Sequence, residues 1–328
     1  RGLGYRGLGH GRGSLGSWDG AGDEVCSAGR GLRVGLHGSD PGPPTATGQP
    51  TVGGVVDPNR TLRSSVVMLH GFAQTGGCLG PVVDALVDHT VVRPDLPGHG
   101  GAAALADLDL WGIASHLARA IGPTLDGPAV WFGYSMGGRV ALHVALAHPE
   151  LVSGLVLLGA TAGIADAAAR EDRRTADLAR ADRLEAVGLD RFLDEWLAQP
   201  LFAGLPEWAR FDAERRRNTV PGLAGSLRHA GTGSMEPLWD RLGSIDVPVL
   251  CVVGENDRKF TDEAHRMADA RSGGLPDAAV EVVVGAGHAA HLERPERVAE
   301  IVVPFCEQLV PRTAGRRDAE PSPRWYTP

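Results

Sequence analysis

Short runs of β-branched and aliphatic residues recur through the middle of the chain. They fall at 65–69 (SVVML), 90–93 (TVVR), 129–133 (AVWFG), 154–158 (GLVLL), 247–253 (VPVLCVV) and 280–284 (VEVVV). Continuous apolar runs of this length suit strands buried on both faces of a parallel sheet. Helical segments are expected between them, at about 79–88, 111–121, 136–148 and 296–310. Alternating strands and helices predict an α/β architecture, a mostly parallel sheet wrapped by helices. Residues 163–230 break the alternation. They are rich in Ala, Arg, Asp and Glu and read as several amphipathic helices with no strand between them. An all-helical insert there would form a cap over the C-terminal edge of the sheet, where open parallel sheets bind their ligands.

The flanks differ from this pattern. Residues 1–63 are rich in Gly and Arg, then in Pro, Gly and Thr. Such composition buries too little apolar surface to offset chain entropy, so disorder is expected there. Within it only LRVGL at 32–36 alternates well enough for an edge strand, and 312–328 reads as a polar tail. The working domain is therefore expected at 64–311. With 43% hydrophobic residues, the 328-residue chain can build one large core.

A net charge of −8 argues against general binding to nucleic acid or to a membrane surface, both of which need a basic footprint. No apolar run approaches the roughly 18–20 residues that span a bilayer. Cys26, Cys78, Cys251 and Cys306 are far apart, with no CxxC pair and no His at zinc-ligand spacing. No metal and no cofactor are expected, and a reduced, cytoplasmic monomer or small homo-oligomer fits best. Lys259 is the only lysine. A coding bias toward Arg would explain that, as would a position where a compact ammonium is preferred to a planar guanidinium.

Chemistry concentrates at strand ends. Gly133-Tyr134-Ser135-Met136-Gly137 follows an apolar strand and opens an Ala-rich helix. Strand, sharp turn and helix are the context that makes G-x-S-x-G a nucleophile elbow, with small residues two before and two after the serine. His70-Gly71-Phe72 follows the first strand. The backbone N–H groups of Phe72 and Met136 are candidates for an oxyanion hole, and His70 reads as a structural loop residue. An acid and a base should follow the serine in that order. Asp257 comes after VPVLCVV and His288 after VEVVV. Asp262 and His291 are their rivals, while His99, His143 and His148 read as structural. Arg139 lies one helical turn beyond Ser135, where a guanidinium could clasp a carboxylate. The alternative is a surface arginine paired with an acid. Arg170, Arg173 and Arg174, and later Arg215, Arg216 and Arg217, are interleaved with acids, so a solvated helix face is their default. Trp196 and Phe202 are either cap lining or core.

Beyond these residues, LHGF, PDLPGHG, GYSMGGR, GENDRKF and GAGHAAHLERPE resemble the motif series of the 2-succinyl-6-hydroxy-2,4-cyclohexadiene-1-carboxylate synthases of menaquinone biosynthesis. The cap segments WLAQPLF and GLAGSLRHAGTG are similar too, and the resemblance spans about 64–310. It implies an α/β-hydrolase fold that works as a lyase. A proton beside a succinyl ketone is removed and pyruvate leaves, with Ser135, Asp257 and His288 as the family's triad. Tyr134 and Arg139 match its GYSxGGR element, and Trp196 its cap tryptophan. Arg173 and Arg217 are the best matches to its cap arginines, with Arg174 and Arg216 as close rivals. A small polycarboxylate is the implied partner. Two other readings stand beside it. One is an esterase or C–C bond hydrolase with Ser135 as covalent nucleophile. The other is a binding module on the same fold, against which three filled triad positions weigh.

Overall fold

The computed structural model describes residues 64–309. The 1–63 segment, with its LRVGL stretch and Cys26, and the 312–328 tail lie outside the described residues. Six strands form one sheet: β1 (Ser65–Leu69), β2 (Thr90–Val92), β3 (Ala129–Tyr134), β4 (Val152–Leu158), β5 (Val249–Gly254) and β6 (Ala278–Val283). All pairings are parallel, in the order β2-β1-β3-β4-β5-β6. Each expected apolar run becomes a strand, with bounds moved by a few residues. The expected burial on both faces holds for β1, β3 and β5 and nearly throughout β4, but not for the end strands β2, which is half-buried, and β6. Among the described residues β6 ends the sheet, and Val282 on it is 37% exposed. An end strand has a neighbour on one side only, and sequence runs do not encode strand order.

Alternate residues of each strand feed two apolar layers. Val67, Leu69, Trp131, Leu155, Leu157 and Cys251 pack on the helical side that includes α2 (Leu110–Ile121) and α3 (Met136–Ala147). Val66, Met68, Val130, Phe132, Val156 and Val252 pack on the other, with α1 (Gly80–Ala85) and α10 (Pro295–Gln308). Helix α2 shows how sequence sets an element. Leu110, Ile113, Ala114, Leu117, Ala118 and Ile121 recur at helical spacing and are buried. The Asp109 side chain caps it by accepting from the Gly112 N–H at 2.7 Å. Truncating a fully buried aromatic such as Phe132 to Ala should cost roughly 3–5 kcal/mol.

The cap holds α4 (Ala167–Val187), α5 (Leu189–Leu197), α6 (Asp212–Arg215) and α7 (Val220–Ala230). Asp166 caps α4 at 2.8 Å, and Gly188, at φ 79, ends it in a conformation that favours glycine. Ala181, Leu184, Phe192, Leu193, Leu223 and Leu227 make a small core of the cap's own, into which Phe72 and Ala73 of the body intrude. Helix α8 (Arg258–Ala268) and the short α9 (Ala290–Glu293) complete the body. No helix of the described residues is long and apolar enough to cross a membrane.

Candidate active site

The turn after β3 places Ser135 at φ 52, ψ −105, a strained conformation for a residue with a side chain. Its N–H donates to the Leu158 carbonyl at 2.8 Å, which locks the turn to β4. The two flanking glycines are sterically required. A β-carbon on Gly133 would strike the Gly137 backbone, and one on Gly137 would strike the Leu69 carbonyl.

The ends of β5 and β6 bring the other two residues to Ser135. His288 Nδ1 lies 2.6 Å from Asp257 Oδ2, and His288 Nε2 lies 3.1 Å from Ser135 Oγ. With Nδ1–H donated to the carboxylate, Nε2 is left to accept from the serine hydroxyl. Asp257 and His288 are both buried, which keeps water from competing for these bonds. Phe260 and Tyr134 pack against the imidazole, with ring centres at 4.5 and 5.4 Å. The rivals fall elsewhere. Asp262 is exposed on α8. His291 is buried behind Tyr134, 4.3 Å between ring centres, and both its nitrogens lack a partner among the described residues. Burial lowers its pKa to about 3, so it stays neutral.

His70, His99 and His143 lie away from Ser135 Oγ and make packing and loop contacts. His70 Nε2 accepts from the Leu96 N–H at 2.9 Å, and Nδ1 donates to the Gly71 carbonyl at 2.8 Å, so it ties the loop after β1 to the loop after β2. Burial lowers its pKa to about 4. His99 packs under Phe72 at 5.6 Å, and His143 bonds the Arg139 carbonyl at 2.7 Å. The N–H groups of Phe72 and Met136 donate to no acceptor among the described residues, and both residues line the same cavity as Ser135.

That cavity, about 200 Å³, lies between the sheet edge and the cap. Phe72, Tyr134, Trp196 and Phe202 give it aromatic walls. The Trp196 indole N–H is buried without a partner among the described residues. Four cations line it: Arg139, Arg173, Arg215 and Lys259. Asp177 is the one carboxylate in its lining among the described residues.

Arg139 is not the salt-bridged surface arginine of the bland alternative. It is 7% exposed, donates from Nη1 to the Ala230 carbonyl at 2.8 Å, and has no ion pair among the described residues. Burial, with Arg173 nearby, lowers its pKa to about 10, so it remains charged at neutral pH. Arg173 is held through Nε by Asp177 at 2.8 Å, and the same carboxylate accepts from Arg180 and from the Gly233 N–H. An Arg and an Asp four apart on a helix are neighbours, a signal that the Arg173/Asp177 spacing did carry.

Arg217 is a correction. It does not line the cavity but spans Glu214 at 2.7 Å and Asp95 at 3.1 Å. The rivals Arg174 and Arg216 are solvent-exposed, paired with Glu171 and Asp190. The inward member of the triplet is Arg215, which is fully buried. It donates from Nε to the Arg210 carbonyl at 2.6 Å and from Nη1 to the Ala73 carbonyl at 2.9 Å. The physical reason is local: Arg215 is the last residue of α6 while Arg216 and Arg217 lie in the turn beyond it, so only the first of the three points back into the protein.

A sheet of this order carrying a serine elbow defines the α/β-hydrolase class, and the family model described as alpha/beta hydrolase fold matches residues 64–295. Within that class the chain is 35% identical to a Bacillus subtilis (strain 168) protein provisionally named 2-succinyl-6-hydroxy-2,4-cyclohexadiene-1-carboxylate synthase, over 78% of this chain and 94% of that protein. It is 33% identical to the Klebsiella pneumoniae (strain ATCC 700721 / MGH 78578) protein of that name, over 71% of this chain and 90% of the relative. The solved structure of MenH from S. aureus aligns with a TM-score of 0.71 at 32% identity, covering 76% of this chain and 96% of that one. The chain belongs to the 2-succinyl-6-hydroxy-2,4-cyclohexadiene-1-carboxylate synthase family.

Proposed function

We propose that the protein is a carbon–oxygen lyase of menaquinone biosynthesis. It eliminates pyruvate from 2-succinyl-5-enolpyruvyl-6-hydroxy-3-cyclohexene-1-carboxylate and leaves 2-succinyl-6-hydroxy-2,4-cyclohexadiene-1-carboxylate. The observation that carries this reading is the charge of the cavity. Four cations and one carboxylate line the cavity that Ser135 also lines, in a chain whose net charge is −8. The substrate has a carboxylate on the ring, one on the succinyl arm and one on the enolpyruvyl group. Arg139, Arg173 and Arg215 are the groups that hold them, with Lys259 at the exposed side. Trp196 offers its free indole N–H and an apolar wall.

The bond changes follow from the difference between substrate and product. The double bond at C3 becomes a 2,4-diene, so a proton leaves C2, beside the succinyl ketone, and the C5–O bond breaks. Ser135, activated by His288, takes the C2 proton, which passes to His288 Nε2. Asp257 fixes the imidazole tautomer and stabilises the imidazolium. The electron pair moves onto the ketone oxygen, and the N–H groups of Phe72 and Met136 stabilise the enolate. As the enolate collapses, the new double bonds form and enolpyruvate departs from C5. Protonation at its methylene carbon, by the proton held on His288 or by one exchanged for it with solvent, gives pyruvate and restores the neutral imidazole. No acyl-enzyme forms and no water is consumed.

The test is to incubate the purified protein with the enolpyruvyl substrate and to follow pyruvate by a coupled dehydrogenase. Stoichiometric pyruvate is expected. Its absence, together with turnover of simple esters and fluorophosphonate labelling of Ser135, would replace the lyase with a serine hydrolase.

A further inference from the structure

The loop that presents the Phe72 N–H is anchored to the cap as well as to the sheet. Residues 214–218 of the cap run alongside residues 71–77 of the body and bond to them repeatedly. Thr75, fully buried, donates from Oγ1 to Glu214 Oε2 at 2.6 Å. Arg217 Nη1 steadies the same Glu214 oxygen at 2.7 Å, while its Nη2 holds Asp95. Asp95 in turn accepts from the Gly76 N–H at 2.9 Å. Arg215 grips the carbonyl of Ala73, a residue at φ 58, which an alanine adopts only under constraint. Asn218 accepts from the Gly100 N–H at 3.0 Å and donates to the Arg215 carbonyl at 2.8 Å. The Phe72 ring meets Trp196 of the cap at 5.0 Å. A β-carbon on Gly77 would collide with the Glu214 carboxyl, so the two segments are in close contact.

We infer that residues 214–218 are a positioning device for the oxyanion donor, with the Thr75–Glu214 bond as its principal latch. The inference rests on Phe72 N–H serving as that donor in the proposed reaction. Neither Thr75 nor Glu214 lines the cavity, so neither is placed to touch substrate. Their effect runs through the backbone between Phe72 and Thr75. Loss of the latch frees a strained loop to relax, and a donor that must stand ready for a developing charge becomes misplaced. A device of this kind affects every reaction that builds negative charge on that oxygen, whatever the rest of the substrate carries.

The experiment compares Thr75→Val, Thr75→Ser, Glu214→Gln and Glu214→Ala with wild type. Three readouts are taken: kcat and KM for pyruvate release, kcat/KM for a small neutral ester, and the rate of Ser135 labelling by a fluorophosphonate. Thr75→Val and Glu214→Ala should each lower kcat by roughly 10-fold or more, with KM within about 2-fold, as for an interaction expressed in the transition state. Ester hydrolysis and labelling should fall in parallel. Thr75→Ser, which keeps the hydroxyl, should restore most of the rate, and Glu214→Gln should lose less than Glu214→Ala. Pairing Thr75→Val with Glu214→Ala should cost little more than either alone, because both remove one bond. A drop in pyruvate release with ester hydrolysis and labelling intact would overturn the inference, since the strip would then act on carboxylate binding. A change in Tm with all three rates unchanged would also overturn it. Should Thr75→Val or Glu214→Ala fail to fold, Glu214→Gln, which weakens the charge-assisted bond, carries the comparison: a parallel fall in all three rates supports the latch, and three unchanged rates overturn it. If wild type labels and cleaves esters but releases no pyruvate, the lyase reading fails while ester and labelling rates still decide the latch.

Discussion

The sheet edge and the cap build the same cavity by opposite means. At the edge, Ser135, Asp257 and His288 are placed by backbone: each follows a strand whose register is set by its parallel neighbours. In the cap, the cations are placed by side chains that hold side chains or stray carbonyls, as Asp177 holds Arg173 and as Arg215 spans Arg210 and Ala73. The first arrangement is fixed by strand register and by hydrogen bonds among the three residues themselves. The second rests on side-chain contacts that a substitution can change one at a time. In the proposed reaction, bond chemistry falls to the edge, and selection among substrates falls to the cap together with Arg139 at the start of α3.

The sharpest way to break this division is to remove the edge residues. Ser135→Ala, His288→Ala and Asp257→Asn should each lower turnover by roughly 10²–10⁴ or more, on the polycarboxylate and on a neutral ester alike. Steady-state kinetics on both substrates check this, and near-normal activity in a folded variant would strike that residue from the mechanism. Arg139 gives the next largest effect, and a selective one. Arg139→Ala should cost roughly 2–5 kcal/mol, on the order of 30-fold to several thousand-fold in kcat/KM, for the polycarboxylate only. Arg139→Lys should recover part of that, because an ammonium lacks the planar fork. Equal losses on the ester would mean that Arg139 supports the elbow rather than the substrate.

A third measurement concerns acid. His70, His99, His143 and His291 all lie in the body, and burial lowers their pKa values from 6.5 to about 4, 3, 4 and 3. The unfolded chain binds protons below pH 6.5 that the folded body refuses. Stability present above that pH should thus be lost progressively as pH falls toward 3–4, by about 1.4 kcal/mol per pH unit for each histidine midway between its two pKa values. Denaturant midpoints against pH should show the slope, and His291→Phe should make it shallower by one proton. A curve flat from pH 7 to 4.5 would contradict neutral burial. The smallest effect is expected from the outward arginines. Arg174→Ala and Arg216→Ala should leave kcat/KM and Tm unchanged, since both are exposed and screened by solvent.

The same division explains what the sequence made legible. Ser135, Asp257 and His288 could be read because a residue just past an apolar run in an alternating α/β chain has one place to go. Arg139 followed from its one-turn spacing to the serine. Arg215 could not be separated from Arg216 and Arg217, because choosing among adjacent arginines needs the end of a helix. Helix α6 is a single turn, launched from Phe211 at φ 49, and nothing in the local pattern sets that end. The exposure of β6 was hidden for a related reason, since strand order is a tertiary outcome.

Lys259 carries a practical consequence. It is the only residue in the sequence with a side-chain primary amine, and it stands at the exposed side of the cavity above Phe260, 5.3 Å from the ring centre. Amine-selective acylation, which on most proteins scatters label over many sites, has here one side-chain target, at the mouth of the cavity. A dye attached there would become a fluorescent reporter of occupancy, quenched or released as the mouth fills. The competition between reagent and ligand for that amine would give ligand affinities without turnover.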